Sequence, residues 1–292
     1  MRHTVRSLLF LALSVMGLLA GQSQNWVAAG NQALYAGRPT EAARDYSLAL
    51  DESLRTTPQA VSNAVLLHLR VSLATAYMEA GDLHNAENAL RQADEAAKSV
   101  AGELQQAQLL NAWAAVHLLE DRWQDTEREL KQARGVLQHV PESGDLLPAV
   151  LHNLAAVKVR TGAYAEALND EQSALSLWSK MLNADHPHLV KGWASLGAVQ
   201  YLLGEFQEAH QSMERALAAA RTTYGAKHPR VADLLESEAV VLDKLKLKRD
   251  AKLARNEARE IRGEPASNRT VRMTWNIRDA LAPDSAVYVK SK

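Results

Sequence analysis

Small and apolar residues recur along this chain at a spacing far longer than a helical turn. Between Leu146 and Ile261 the pattern overlays on itself after a shift of 42 residues. Gly162, Gly204 and Lys246 then coincide, and His186-Pro187 falls on His228-Pro229. With the first group taken as an anchor, the register continues upstream through Asp121, Gly81 and Gly37. Seven residues before each anchor stand Gly30, Ala74, Ala114, Ala155, Gly197 and Ala239. Five residues after stand Ala42, Ala86, Thr126, Ala167, Ala209 and Ala251. Twelve residues after stand Ala49, Ala93, Ala133, Ala174, Ala216 and Ala258. A fixed period in this range marks a stack of like supersecondary units, a solenoid.

Each unit reads as two helices, A before the anchor and B after it. The first small column lies on helix A and faces helix B of its own unit. The other two lie on helix B and meet helix A of the same and of the next unit. A side chain larger than Ala there pushes the axes beyond the usual ~8–10 Å. The anchor Gly sits just past helix A, where a left-handed residue closes the helix without steric cost. Asp121 and Lys246 lack that freedom, which predicts looser or differently shaped turns. His186-Pro187 and His228-Pro229 predict helix starts, because Pro fits the first turn. Thr57-Pro58 and Leu147-Pro148 read the same way. The fold class is all-α, with about six helix-turn-helix repeats over residues 24–261.

The two ends differ from this pattern. Arg2, His3 and Arg6 precede an apolar run, Leu8 to Ala20, with Gly21 and Ser23 at the spacing of a cleavage site. That is a secretory signal peptide over residues 1–23, with Gln24 first in the mature protein. The run is short for a bilayer span of ~20 residues, and the alternative is an uncleaved anchor. Residues 262–292 form a tail in which Val271, Met273, Trp275 and Ile277 alternate with polar residues, a strand signal. The tail carries a net charge of +3. It reads either as an extended segment capping the last helix pair around Leu253 and Ile261 or as a disordered end.

The repeats resemble the tetratricopeptide repeat family. Leu73, Trp113, Leu154 and Leu196 fill the large position before the first small one, and Trp123, Tyr164 and Phe206 fill the aromatic position after the anchor. Departures are Glu238 and Arg70 in apolar columns, and Glu171 and Arg255 where an aromatic is usual. The repeat is longer than the usual ~34 residues. With "DHPHLV" and "KHPRVA" opening helices, it is similar to the kinesin-light-chain subtype. The resemblance implies a right-handed α-solenoid with a short extended C-terminal tail.

Composition narrows the function. The net charge of -1 holds no excess for nucleic acid. The absence of cysteine excludes a disulfide, thiol chemistry, a Cys-based zinc site and a lipid-modified cysteine anchor. No His-Glu-x-x-His, Gly-x-Ser-x-Gly or glycine-rich phosphate loop occurs. His186-x-His188 with Asp185 has the residue types of a metal site, but in a "DHPH" turn it reads as a helix cap. Trp113 and Trp193 stand in core columns, and Trp178, ending a helix B, is expected partly exposed. No cofactor, metal or catalytic set is expected.

What remains is surface. In the family resembled, helix A residues at fixed offsets line a concave groove. Carried onto this chain, that implies a peptide-binding groove with Ala115, Ala156, Ala194 and Ala198 as its floor. Its edges are Gln108, Asn111, His152, Arg160, Lys191, Tyr201, Asp233 and Glu236. Asn and Gln can bond an extended backbone through both amide groups, and Arg160 and Lys191 favour an acidic or C-terminal segment. The expected protein is therefore an exported, periplasmic or secreted, non-catalytic scaffold for a protein or peptide partner, without a membrane span once the signal is cleaved. A regulatory or accessory subunit of a cell-envelope enzyme complex is the alternative.

Overall fold

A computed structural model describes residues 21–56, 62–99, 102–140 and 143–263. The expected signal run, Pro58 and the tail strands lie outside the described residues. Within them are twelve α-helices and no strand. They fall in two compact units, one reaching to Asn153 and the other beginning at Leu154.

The first unit holds α1 (Gly21–Tyr35), α2 (Pro39–Thr56), α3 (Asn63–Glu79), α4 (Leu83–Ala97), α5 (Glu103–Leu119), α6 (Trp123–Leu137) and the start of α7 (Leu146–Arg160). Its helices pack as pairs, α1 on α2, α3 on α4 and α5 on α6, with α2 touching α3 and α4 touching α5. Ser62 and Asp82 cap α3 and α4 by accepting the Val65 and Asn85 amides, as short polar side chains at helix starts do. The second unit holds the end of α7, α8 (Tyr164–Met181), α9 (Pro187–Leu203), α10 (Phe206–Tyr224), α11 (Pro229–Lys244) and α12 (Lys248–Arg262). Here α9 packs on α10 and α11 on α12, with α8 against α9 and α10 against α11.

The small columns are the contact lines of these pairs. All six alanines twelve residues past the anchors are fully buried, and so are Ala42, Ala86, Thr126, Ala167, Ala209 and Ala251. On the A side, a Cβ added to Gly197 stands 3.1 Å from the Ala209 carbonyl oxygen, and one added to Gly30 meets the Tyr46 ring at 2.8 Å. Each glycine thus faces helix B of its own pair, as the spacing predicts.

The turns at Asp121 and Lys246 differ from expectation. All six anchors adopt the left-handed conformation, with φ of 61° at Asp121 and 62° at Lys246 beside 67–83° at the four glycines. The hydrogen bonds are also shared. Arg122 N–H reaches His117 C=O at 2.8 Å and Leu247 N–H reaches Leu242 C=O at 2.9 Å, matching Glu205 to Gln200 at 2.9 Å. The bonds that close this turn are all backbone, so any residue able to bear the left-handed strain can make them. For a non-glycine residue that strain is about 1–2 kcal/mol, small against the packing that fixes the turn.

Candidate functional site

The A helices carry the eight residues expected to edge a groove, and the structure sorts them into distinct environments. In the first unit, Gln108 on α5 lies with its Nε2 3.4 Å from His68 Nδ1 on α3. Burial pushes the His68 imidazole below its ordinary value, with Asp145 acting in the opposite direction. Asn111 and His152, expected at the groove edge, are instead fully buried. Asn111 Oδ1 accepts from Asn153 Nδ2 on α7 at 2.9 Å. A carboxamide closed to water must have such a partner, and here the partner is another repeat rather than a guest.

In the second unit, Arg160 and Lys191 are half-buried rather than exposed. Tyr201 is half-buried too, its ring tilted against Phe206 at 5.5 Å with Lys244 Nζ 5.9 Å above it. Lys191, Ala194, Ala198 and Tyr201 follow the three-four-three spacing that puts side chains on one face of a helix. Asp233 and Glu236 on α11 are both held by Arg262, the last residue of α12, at 2.7 Å each. No local spacing announces that clamp, because the partners lie 26 and 29 residues apart on different helices.

Two buried clusters lie beside this face. Glu238 of α11, noted as a charge in an apolar column, bonds through Oε1 to Nδ1 of His210 on α10. Burial raises its carboxyl to about 7, the His210 contact opposes the shift, and Glu214 adds to it. Trp178, expected partly exposed, is fully buried and stacks on His188 at 5.0 Å. Gly192 on α9 lies against the same stretch of α8, where an added Cβ would stand 2.6 Å from Leu175 and at an ordinary 3.4 Å from the Trp178 ring. The glycine makes room for Leu175. His186 caps α9 as the "DHPH" reading predicts, its Nδ1 accepting the His188 amide.

Among the described residues no group of three or more His, Asp or Glu is placed to hold a metal ion. No described helix is long and apolar enough to cross a membrane.

Comparison with known proteins agrees with this arrangement. Residues 146–222 match the tetratricopeptide repeat family model. No curated protein sequence matches the chain. Among solved structures, BtubC from P. vanneervenii is similar at a TM-score of 0.62 and 17% identity, over 77% of this chain and 91% of that one. The kinesin light chain nearly identical TPR-like repeats of Podosopora anserina give 0.54 and 20%, over 70% and 97%. The Rap conjugation gene regulator of plasmid pLS20, solved with the Phr peptide, gives 0.60 and 19%, over 82% and 75%. At these identities the likeness establishes the fold.

Proposed function

Because residues 146–222 are tetratricopeptide repeats within an all-α repeat fold, we propose that this protein is a non-catalytic scaffold that holds a protein or peptide segment against the A-helix face of its second unit. The observation that carries this reading is the single face of α9. There Lys191 and Tyr201, both half-buried, bracket the small residues Ala194 and Ala198. Ala194 and Ala198 are themselves closed to water, at 5% and 0% exposure, so the guest is read as lying across the outer edge of this face, where Lys191 supplies a cation and Tyr201 an aromatic edge to grip it. Arg160 adds a second positive charge in this unit. The favoured guest is an acidic segment or one ending in a free carboxylate, since guanidinium and ammonium groups bond such anions strongly. The Rap regulator solved with its Phr peptide is a precedent for a peptide on a related fold. The long repeat, opened by His-Pro, supports the kinesin-light-chain subtype as part of this proposal.

The double variant Arg160→Glu with Lys191→Glu tests the site. It should lower affinity for an Asp/Glu-rich peptide at least tenfold while leaving the far-ultraviolet dichroism unchanged. Added salt should weaken the wild-type complex as well, because partly exposed charges are screened over ~8–10 Å near physiological ionic strength. An affinity indifferent to both changes places the binding surface elsewhere. The same reading takes the protein as exported, on the strength of Arg2, Arg6 and the Leu8–Ala20 run. N-terminal sequencing of the mature protein should begin near Gln24, and a chain recovered from the cytosol with Met1 intact contradicts it.

A further inference from the structure

Helices α9 and α11 begin in the same uncommon way. Each is preceded by a histidine in extended conformation, His186 at φ -80° and ψ 136° and His228 at φ -75° and ψ 142°, with proline following in the first turn. Nδ1 of His186 accepts the His188 amide at 3.2 Å, and Nδ1 of His228 accepts the Arg230 amide at 3.1 Å. The two sites are 42 residues apart and repeat the same bond.

An imidazole cap differs physically from the hydroxyl and carboxylate caps of α3 and α4. Nδ1 accepts a hydrogen bond only while it carries no proton, which fixes the neutral ring as the tautomer protonated on Nε2. A protonated ring has donors at both nitrogens, so the cap bond is replaced by two facing N–H groups. The new charge also stands at the positive end of a helix dipole. For His186, which is 6% exposed, the charged ring further loses the solvation of water. The three effects have the same sign.

We propose that His186 and His228 are acid-sensitive latches that hold the first turns of α9 and α11 at neutral pH and release each as its ring protonates. The groups around each ring are as follows. His186 lies 4.7 Å from the His188 ring, itself stacked on Trp178 of α8. Asp185 precedes it, and the Asp185 carbonyl accepts from Thr223 Oγ1 of α10 at 2.7 Å. His228 stacks on Tyr224 of α10 at 4.9 Å, whose hydroxyl takes a bond from Arg230 at 3.0 Å. Lys227 precedes His228 in the turn. Titratable neighbours include His188 and Asp185 at one ring, and Tyr224, Arg230 and Lys227 at the other. The latches stand on helix starts that the binding face does not include, so the inference holds whether or not that face takes a peptide.

Hydrogen exchange on the full chain at pH 7.5 and pH 5.0, corrected for intrinsic rates, tests it. Losing a cap is worth about fivefold in local opening. Protection of the first-turn amides of α9 and α11 should fall about fivefold at pH 5.0 relative to the starts of α3 and α4, which Ser62 and Asp82 cap in the same molecule. In the double variant His186→Asn with His228→Asn the carboxamides cap without titrating, so protection at both starts should not change with pH. Each single variant should flatten the response of its own helix alone, which keeps the test decisive if the double variant folds poorly. The proposal is overturned if α9 and α11 respond no more than α3 and α4, or if the asparagine variants keep the full response.

Discussion

Replacing Gly197 with leucine should cost about 3 kcal/mol of stability, whereas Glu208→Gln should stay within about half a kcal/mol. Gly197 lies on α9 where it crosses α10. Its hypothetical Cβ stands 3.1 Å from the Ala209 carbonyl oxygen and 3.1 Å from Met213 Cε. The methionine can swing aside, but the carbonyl belongs to a helix and cannot. Ala209 is itself a fully buried member of a small column, so leucine has no lateral room and must force the two axes apart. Ala216→Leu, in the column that is alanine in all six repeats, should cost about 1–3 kcal/mol by the same route. Glu208 is on the exposed side of α10, so its variant controls for charge. Thermal or urea unfolding reads all three. Equal midpoints for Gly197→Leu and Glu208→Gln would show that the columns are not where the helices meet.

The second large effect has the opposite sign. Glu238→Leu should stabilise the protein by about 1–4 kcal/mol at pH 8, because exchanging a buried ionisable group for an apolar one of similar size removes its desolvation cost. Glu238 has a side chain 6% exposed, while its partner His210 is 25% exposed and keeps Glu214 at 3.9 Å. The imidazole thus reaches water on its own, and removing Glu238 leaves no fully buried partner behind. The pH dependence follows from the direction of the Glu238 shift. Its carboxyl titrates near 4.5 when unfolded and is raised to about 7 in the fold. The folded state therefore binds the extra proton between these values, and stability from this group is fully present below about 4.5 and is lost as pH rises through about 7. The advantage of Glu238→Leu over the natural protein should grow from pH 5 to pH 8. A leucine variant less stable at pH 8, or a gap that does not widen, would mean that attraction to His210 outweighs burial.

The parts of the fold legible in the sequence are those imposed by helix-to-helix distance. Any side chain beyond alanine at Ala174, Ala216 or Ala258 would separate axes, so the constraint prints itself on the sequence at each repeat. The turns at Asp121 and Lys246 were read too literally. Glycine is the cheapest left-handed residue, but the backbone bonds of the turn hold without it. Trp178 stacks on His188 of the next helix, and no spacing within α8 announces that contact. Asn111 shows why the site was less legible than the fold. Offset from the anchor gives a position along helix A, yet whether that position meets water or a neighbouring repeat depends on residues such as Asn153, which sits in a different column. The partners of Glu238, Asp233 and Glu236 come from other helices, and no local spacing announces His210 or Arg262.

The A-helix face of the second unit is proposed to take an acidic guest. A photo-reactive side chain placed at position 191 on α9, and separately at position 208 on the outer side of α10, tests it with a labelled Asp/Glu-rich peptide carrying a free C-terminus. Covalent capture is expected from position 191, suppressed by excess unlabelled peptide and by high salt, and none from position 208. Capture from position 208, or from neither position under conditions where the peptide is shown to bind, would contradict it.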